Sequence, residues 1–224
     1  MRRKVGLITI GCRENAPHWA DVIAALEPEV EADFRGLLDG MTREEVEREF
    51  AFAEGENYLV TEMPWAPSVQ LSEAAAQRYM LVRAAEQFAD GADTVLALCT
   101  GDFLRPETER GLFLLPEDLM HGILTGLRQK KLGFIVPEED QIPFSLQQYR
   151  SLNPVIRAAS PYGSMETLAQ TAASFRDEDV EVIVTDCMGF TAEMGRIVAR
   201  ESGKQVLVPR QVLPKLIKAL LVQQ

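Results

Sequence analysis

Two of the three cysteines in this 224-residue chain stand in matching tripeptides, Cys99-Thr100-Gly101 and Cys187-Met188-Gly189; the third is Cys12. An unperturbed thiol titrates at about pH 8.5, so modest tuning supplies an acid or a base near neutrality. Two thiols on opposite faces of a carbon beside a carboxylate could take a proton from one side and return it on the other. The glycine after each cysteine lets backbone N–H groups come close to an anion, and a helix beginning just beyond adds a favourable field. Thr100, Gly101, Gly189 and Thr191 are therefore the expected substrate-binding residues around Cys99 and Cys187. Thr191 reads equally as the cap of a helix over 192–200, and Thr100 as a turn residue. A third loop, Gly11-Cys12-Arg13, joins the candidates. Arg13 could grip a ligand carboxylate through two hydrogen bonds, although a solvated loop arginine is the plainer reading. Asp186 could orient the residues around the site or equally cap a neighbouring turn, and Glu193 either donates a proton or answers a helix dipole.

Any single buried cysteine is ordinarily structural. What argues for a site is recurrence. The apolar run Val5 to Ile10 reads as a strand buried on both faces. Lys131-Leu132-Gly133-Phe134-Ile135-Val136 echoes Lys4-Val5-Gly6-Leu7-Ile8-Thr9. Phe88-Ala89-Asp90-Gly91 closes a helical segment before the strand Thr94 to Leu98 and Cys99. Phe175 to Asp179 closes another before Val180 to Asp186 and Cys187. Apolar stripes predict the two feeding helices: Tyr79, Val82, Ala85 and Ala89 in one, Met165, Leu168, Ala172 and Phe175 in the other. Lys131 follows Lys4 at an offset of 127, whereas Cys187 follows Cys99 at an offset of 88. The first half therefore carries an insertion whose length is the difference, 39. It is expected between Gly36 and Gln70, where Thr42-Arg43-Glu44-Glu45 is a capping box and the region of Pro64, Trp65 and Pro67 reads as loop. Leu112 to Leu115 reads as a short buried strand, 117–129 as a helix, 154–159 and 205–208 as strands, and 212–222 as a terminal helix. Strands alternating with amphipathic helices predict parallel sheets covered by helices, with ligands beyond the strands' carboxyl ends, where all three cysteines fall. The expected division is 1–116 and 117–224, with 212–222 packing back on the first half.

Composition narrows the function. Apolar residues make up 46% and charged residues 25% of the chain, as in a globular protein with a core. The formal charge is −11, which disfavours nucleic acid and anionic membranes as partners. Three dispersed cysteines suggest free thiols in a reducing, cytoplasmic setting. The apolar run after Met1-Arg2-Arg3-Lys4 is too short for a signal peptide or a membrane span. No dinucleotide fingerprint, P-loop or nucleophile elbow occurs. The two histidines, His18 and His121, are distant in the chain, which argues against a His-based triad or a zinc site.

These residues carry a resemblance. Paired cysteines in duplicated α/β halves look like the Asp/Glu/hydantoin racemase superfamily, and the chain more closely resembles the AroM family of bacterial proteins along nearly its whole length. The stretches concerned are Leu7-Ile8-Thr9-Ile10-Gly11, Gly36-Leu37-Leu38-Asp39-Gly40 with Thr42-Arg43-Glu44-Glu45-Val46, and Ala53-Glu54-Gly55-Glu56. They continue with Phe113-Leu114-Leu115-Pro116, Gly133-Phe134-Ile135-Val136-Pro137 and Asp186-Cys187-Met188-Gly189-Phe190. The resemblance implies an α/β fold of two pseudo-symmetric flavodoxin-like halves with a cleft between them, and no metal or organic cofactor. It carries the superfamily's two catalytic thiols to Cys99 and Cys187. Racemases usually follow these cysteines with Asn-Thr and Thr-His, where this chain has Thr100-Gly101 and Met188-Gly189; their Asp-Ser pair after the first strand is here Thr9-Ile10-Gly11-Cys12.

Three readings follow: a cofactor-independent racemase or isomerase acting on a small carboxylate through both thiols, a decarboxylase or cis–trans isomerase of the same superfamily using one thiol, and a non-catalytic binding protein for a small acid. A homo-oligomer is compatible with each.

Overall fold

The computed structural model describes residues 3–27, 30–107 and 111–221. It divides into two compact units, Met1–Leu119 with Pro214–Gln224, and Met120–Leu213.

The first unit is built on a four-stranded parallel sheet. Its strands are β1 (Arg3–Thr9), β2 (Val30–Gly36), β5 (Thr94–Ala97) and β6 (Leu112–Leu114), in the order β2-β1-β5-β6. Helix α1 (Ala20–Leu26) connects β1 to β2. The insertion folds as α2 (Arg43–Glu49), started by the expected capping box, and then an antiparallel hairpin of β3 (Tyr58–Met63) and β4 (Ala66–Ser72). The hairpin corrects the expected loop. Pro64 and Trp65 are only its turn, and Pro67 lies in β4, which pairs on one side alone. A strand with a free edge tolerates a missing N–H. Helix α3 (Glu73–Ala89) returns the chain to the sheet.

The second unit repeats the plan. Helix α4 (Pro116–Gly126) leads into β7 (Leu132–Val136), α5 (Ile142–Gln148), β8 (Val155–Ala158), α6 (Met165–Ala173), β9 (Val182–Thr185), α7 (Ala192–Ser202) and β10 (Gln205–Leu207), and α8 (Pro209–Leu221) closes the described chain. The sheet order is β10-β9-β7-β8, the first sheet's order read from the other edge. Register agrees residue for residue. Val5 pairs with Thr94 and Leu132 with Val182, which are the 127 and 88 offsets of the sequence echoes. The N–H of Leu98 donates to Ile8 and that of Asp186 to Ile135, again at the same offsets. The two units are a structural duplication.

Several expectations need correction. In α3 the predicted stripe is rotated: Val82 is 55% exposed and Ala85 and Ala89 are exposed, whereas Ala76, Met80, Ala84 and Gln87 are buried. Along α6 and the turn that follows it the stripe holds at Leu168, Ala172 and Phe175, but Met165, on the helix's first turn, is exposed. Subtracting 88 from the buried α6 positions gives Met80, Ala84 and Gln87, so the two helices use one face, disguised in α3 by a buried glutamine. Leu112 is exposed, so β6 is only half-buried. Helix α4 runs from Pro116 and ends at Gly126, not 129, and α8 begins at Pro209; Val222 lies outside the described residues. No described helix is long and apolar enough to cross a membrane.

Candidate functional site

In open parallel sheets ligands bind beyond the carboxyl ends of the strands, and each unit places a cysteine there. Leu98 extends β5 by one backbone hydrogen bond to β1, and the chain then turns at Cys99-Thr100-Gly101. The Gly101 N–H donates to the Cys99 sulfur at 3.4 Å. The second unit repeats the turn, with the Gly189 N–H donating to Cys187 Sγ at 3.3 Å. A backbone N–H on sulfur favours the thiolate over the thiol. Cys99 is buried and Cys187 half-buried.

The shared backbone is dressed differently in the two units. A Cβ on Gly101 would lie within 3.3 Å of Leu59, Phe103 and the Glu73 carboxyl, so a larger residue would have to push these side chains aside. Glu73, the first residue of α3, accepts the Asp102 N–H at 3.2 Å and an N–H of the Asn57 side chain at 2.5 Å; burial, the largest influence on it, pushes its pKa up. The hairpin and the start of α3 thus hold the Cys99 turn. A Cβ on Gly189 would instead meet Pro161 and the Tyr162 hydroxyl, both at 2.9 Å, in the loop after β8. Beneath this turn the Tyr149 hydroxyl donates to Asp186 at 3.2 Å, and Arg210 Nη1 donates to the Met188 carbonyl at 3.2 Å. Burial pushes the Cys187 thiol up to about 11; the Gly189 N–H and the positive Arg210 act the other way, and the negative Asp186 adds to the rise. Cys187 therefore holds its proton at neutral pH.

Of the remaining expected residues, Thr100 is half-buried beside Cys99. Thr191 caps α7, its hydroxyl accepting the Met194 N–H at 3.3 Å. A hydroxyl that accepts can still donate. Glu193 is exposed on the first turn of α7. Gly11 and Cys12 are buried after β1, and Cys12 Sγ donates to Asn15 Oδ1 at 3.5 Å. Burial first, then Glu14, pushes the Cys12 thiol up to about 11. Arg13 is exposed and engaged with Asp39: its N–H donates to Oδ1 at 2.6 Å and its Nε lies 3.6 Å from Oδ2. The third loop is thus tied down by the chain itself.

Glu73, Tyr162 and Arg210 went unnoticed in the sequence. Glu73 follows Ser72 as any first-turn glutamate follows a cap, and Tyr162 lies in a Pro-Tyr-Gly turn with no special spacing. Among the described residues no group of three or more His, Cys, Asp and Glu is arranged to hold a metal ion.

Two parallel α/β units of equal strand order, each with a cysteine turn at the carboxyl end of its sheet, define a racemase-like fold. Solved structures bear this out: Picrophilus torridus aspartate racemase is similar with a TM-score of 0.59 at 15% identity, over 97% of this chain and 94% of that one. The maleate isomerase Iso from Pseudomonas putida S16 gives 0.59 at 13%, over 98% and 93%, and unliganded arylmalonate decarboxylase 0.56 at 15%, over 98% and 92%. At such identities the likeness is one of fold. The AroM protein family model matches residues 5–221, and the chain belongs to that family. No curated protein matches it in sequence.

Proposed function

We propose that the chain is an enzyme that moves a proton at the carbon beside a small carboxylate, with Cys99 and Cys187 as its acid–base pair and no metal or organic cofactor. The observation that carries this is the duplicated turn. In each unit a cysteine follows the same strand in the same register, with a glycine N–H on its sulfur. Cys187, protonated at neutrality, is the donor. In the forward direction the Cys99 thiolate takes the Cα proton, and the bonding pair passes into the carboxylate as an enolate. The Cys187 thiol then gives its proton to the other face of that carbon and is left as thiolate. Each thiolate is met by its glycine N–H, and Thr100 and Thr191, which follow the two cysteines in the chain, supply hydroxyls for the substrate carboxylate. A fold shared with an aspartate racemase supports this class of chemistry.

One observation favours a second reading. The two turns differ in their polar surroundings: Glu73 braces the first, whereas Tyr162, Asp186 and Arg210 surround the second. Unequal surroundings suit a reaction in which Cys187 alone protonates the carbanion left by loss of carbon dioxide. Arylmalonate decarboxylase has the same fold.

The test is a screen of small carboxylic acids in D2O, read by exchange at Cα, optical rotation and carbon dioxide release, with the wild type, Cys99→Ala and Cys187→Ala. Both substitutions should lower turnover by about 10²–10⁴-fold, the usual worth of a positioned acid or base, with the fold intact by circular dichroism. Loss in Cys187→Ala alone would establish the one-thiol reading. Full activity in Cys187→Ala would sink both, and binding of an acid without exchange in any protein would make this a binding protein.

A further inference from the structure

We propose that Arg210 is the positioning residue of the second cysteine turn, fixing the Met188–Gly189 peptide so that its N–H faces the Cys187 sulfur; this rests on the reading that Cys187 exchanges a proton with substrate. The argument begins with an arginine that stands where neither burial nor helix stability wants one. Arginine is rarely fully buried, and Arg210 is only 2% exposed. It is the second residue of α8, where the helix end carries partial positive charge and a cation is unfavourable. A buried cation at a helix position that disfavours it points to a role outside the helix.

The duplication shows what the ordinary residue would be. Strand β6 pairs with β5 as β10 pairs with β9: Leu112 with Thr94, Gln205 with Val182. Carried two residues beyond the strand ends, this correspondence sets Pro116-Glu117, which opens α4, against Pro209-Arg210, which opens α8. The first unit has an acid in the first turn, as a helix dipole prefers; the second replaces it with a cation.

That cation has a direct path to the thiol. Arg210 Nη1 donates to the Met188 carbonyl oxygen at 3.2 Å, and the N–H donating to Cys187 Sγ at 3.3 Å is that of Gly189. The carbonyl and the N–H belong to one planar, trans peptide unit, so holding the oxygen aims the hydrogen the opposite way, at the sulfur. Hydrogen bonds in series also polarise one another, so the guanidinium strengthens the N–H as a donor. When Cys187 releases its proton, the thiolate faces an oriented donor backed by a buried positive charge. Asp186, also close to this sulfur, opposes Arg210 and is itself held by Tyr149.

The experiment reads alkylation of Cys187 and Cys99 separately, by peptide mass spectrometry from pH 6 to 11. The proteins are the wild type, Arg210→Lys, Arg210→Gln and Arg210→Met, with folding checked by circular dichroism. Neutral replacements should raise the apparent pKa of Cys187 by about one unit, slowing its alkylation about tenfold at a fixed pH below that range. Arg210→Lys keeps the charge but not the fixed planar reach of the guanidinium, and should slow it about threefold; this variant guards against failure of the neutral ones to fold. Cys99 should be unchanged throughout. A Cys187 profile that superimposes on wild type in any folded variant overturns the proposal. So does parallel slowing of Cys99, which marks a general loosening. No substrate enters this test, so its outcome is separate from that of the turnover assay.

Discussion

At the residue scale the two thiols with raised pKa values, Cys12 and Cys187, are kept protonated chiefly by their surroundings. A group whose pKa rises on folding binds its proton more tightly in the native state. Its contribution to stability is complete below the unfolded thiol's titration and is lost as pH climbs through the native value. For Cys12 that window runs from pH 9.0 to about 11. Wild-type stability in denaturant should therefore fall across it more steeply than that of Cys12→Ala, by roughly 3 kcal/mol in all. The cavity left by alanine is independent of pH, so the difference in slope isolates the thiol; equal slopes would mean that Cys12 titrates normally. The cysteines were legible in the sequence because each follows an apolar run, a pattern local in the chain. Their companions were not. Arg210 reaches a carbonyl 22 residues away and Glu73 an amide 29 residues away, and no periodicity records such contacts.

At the scale of elements, what could be read depended on whether burial was apolar on both faces. The runs at β1, β7 and β9 announce themselves because both faces are covered. Strand β2 escaped notice because its sequence, Val-Glu-Ala-Asp-Phe-Arg-Gly, mixes charges into an edge strand. Those charges are answered in space: Arg35 binds Asp33 and, at 2.6 Å, Asp90, while Lys4 lies 3.3 Å from Asp33. The same pairing recurs as Arg157 with Glu178 at 2.7 Å, near the positions the repeat offsets set. The face of α3 was misread because Gln87 occupies the position Phe175 fills in the second unit. Both side chains lie over a strand glycine: a Cβ on Gly6 would collide with the Gln87 amide, and one on Gly133 would come within 2.8 Å of the Phe175 ring. Phe175 is fully buried and has little room to give. Gly133→Ala should thus destabilise by about 1–3 kcal/mol, the usual effect of overpacking, measured as a lower denaturant midpoint at unchanged slope. Adding Phe175→Leu should recover part of the loss if the ring is the obstacle. If Gly133→Ala is neutral, the close approach of helix and strand does not matter.

At the scale of the whole molecule, the duplication was legible from two sequence offsets. The strand order and register then show that it is a repeat of backbone plan and not merely of composition. What the repeat conceals is polarity, since equivalent positions hold glutamate in one unit and arginine in the other. The overall charge of −11 bears on the same question. The chain as a whole repels a small carboxylate, while on the function proposed above the positive Arg210 beside the second turn attracts it. The two effects have different ranges. Raising ionic strength from about 0.01 to 0.15 M shortens the screening length from about 30 to about 8 Å, which removes the distant repulsion and spares contacts made inside the protein. For any acid that the protein proves to turn over, kcat/KM should therefore rise a few-fold over that interval, with kcat nearly constant, because the gain lies in encounter. A fall would mean that accessible positive charge near the turns outweighs the acidic surface, and that approach of the substrate is steered by the site itself.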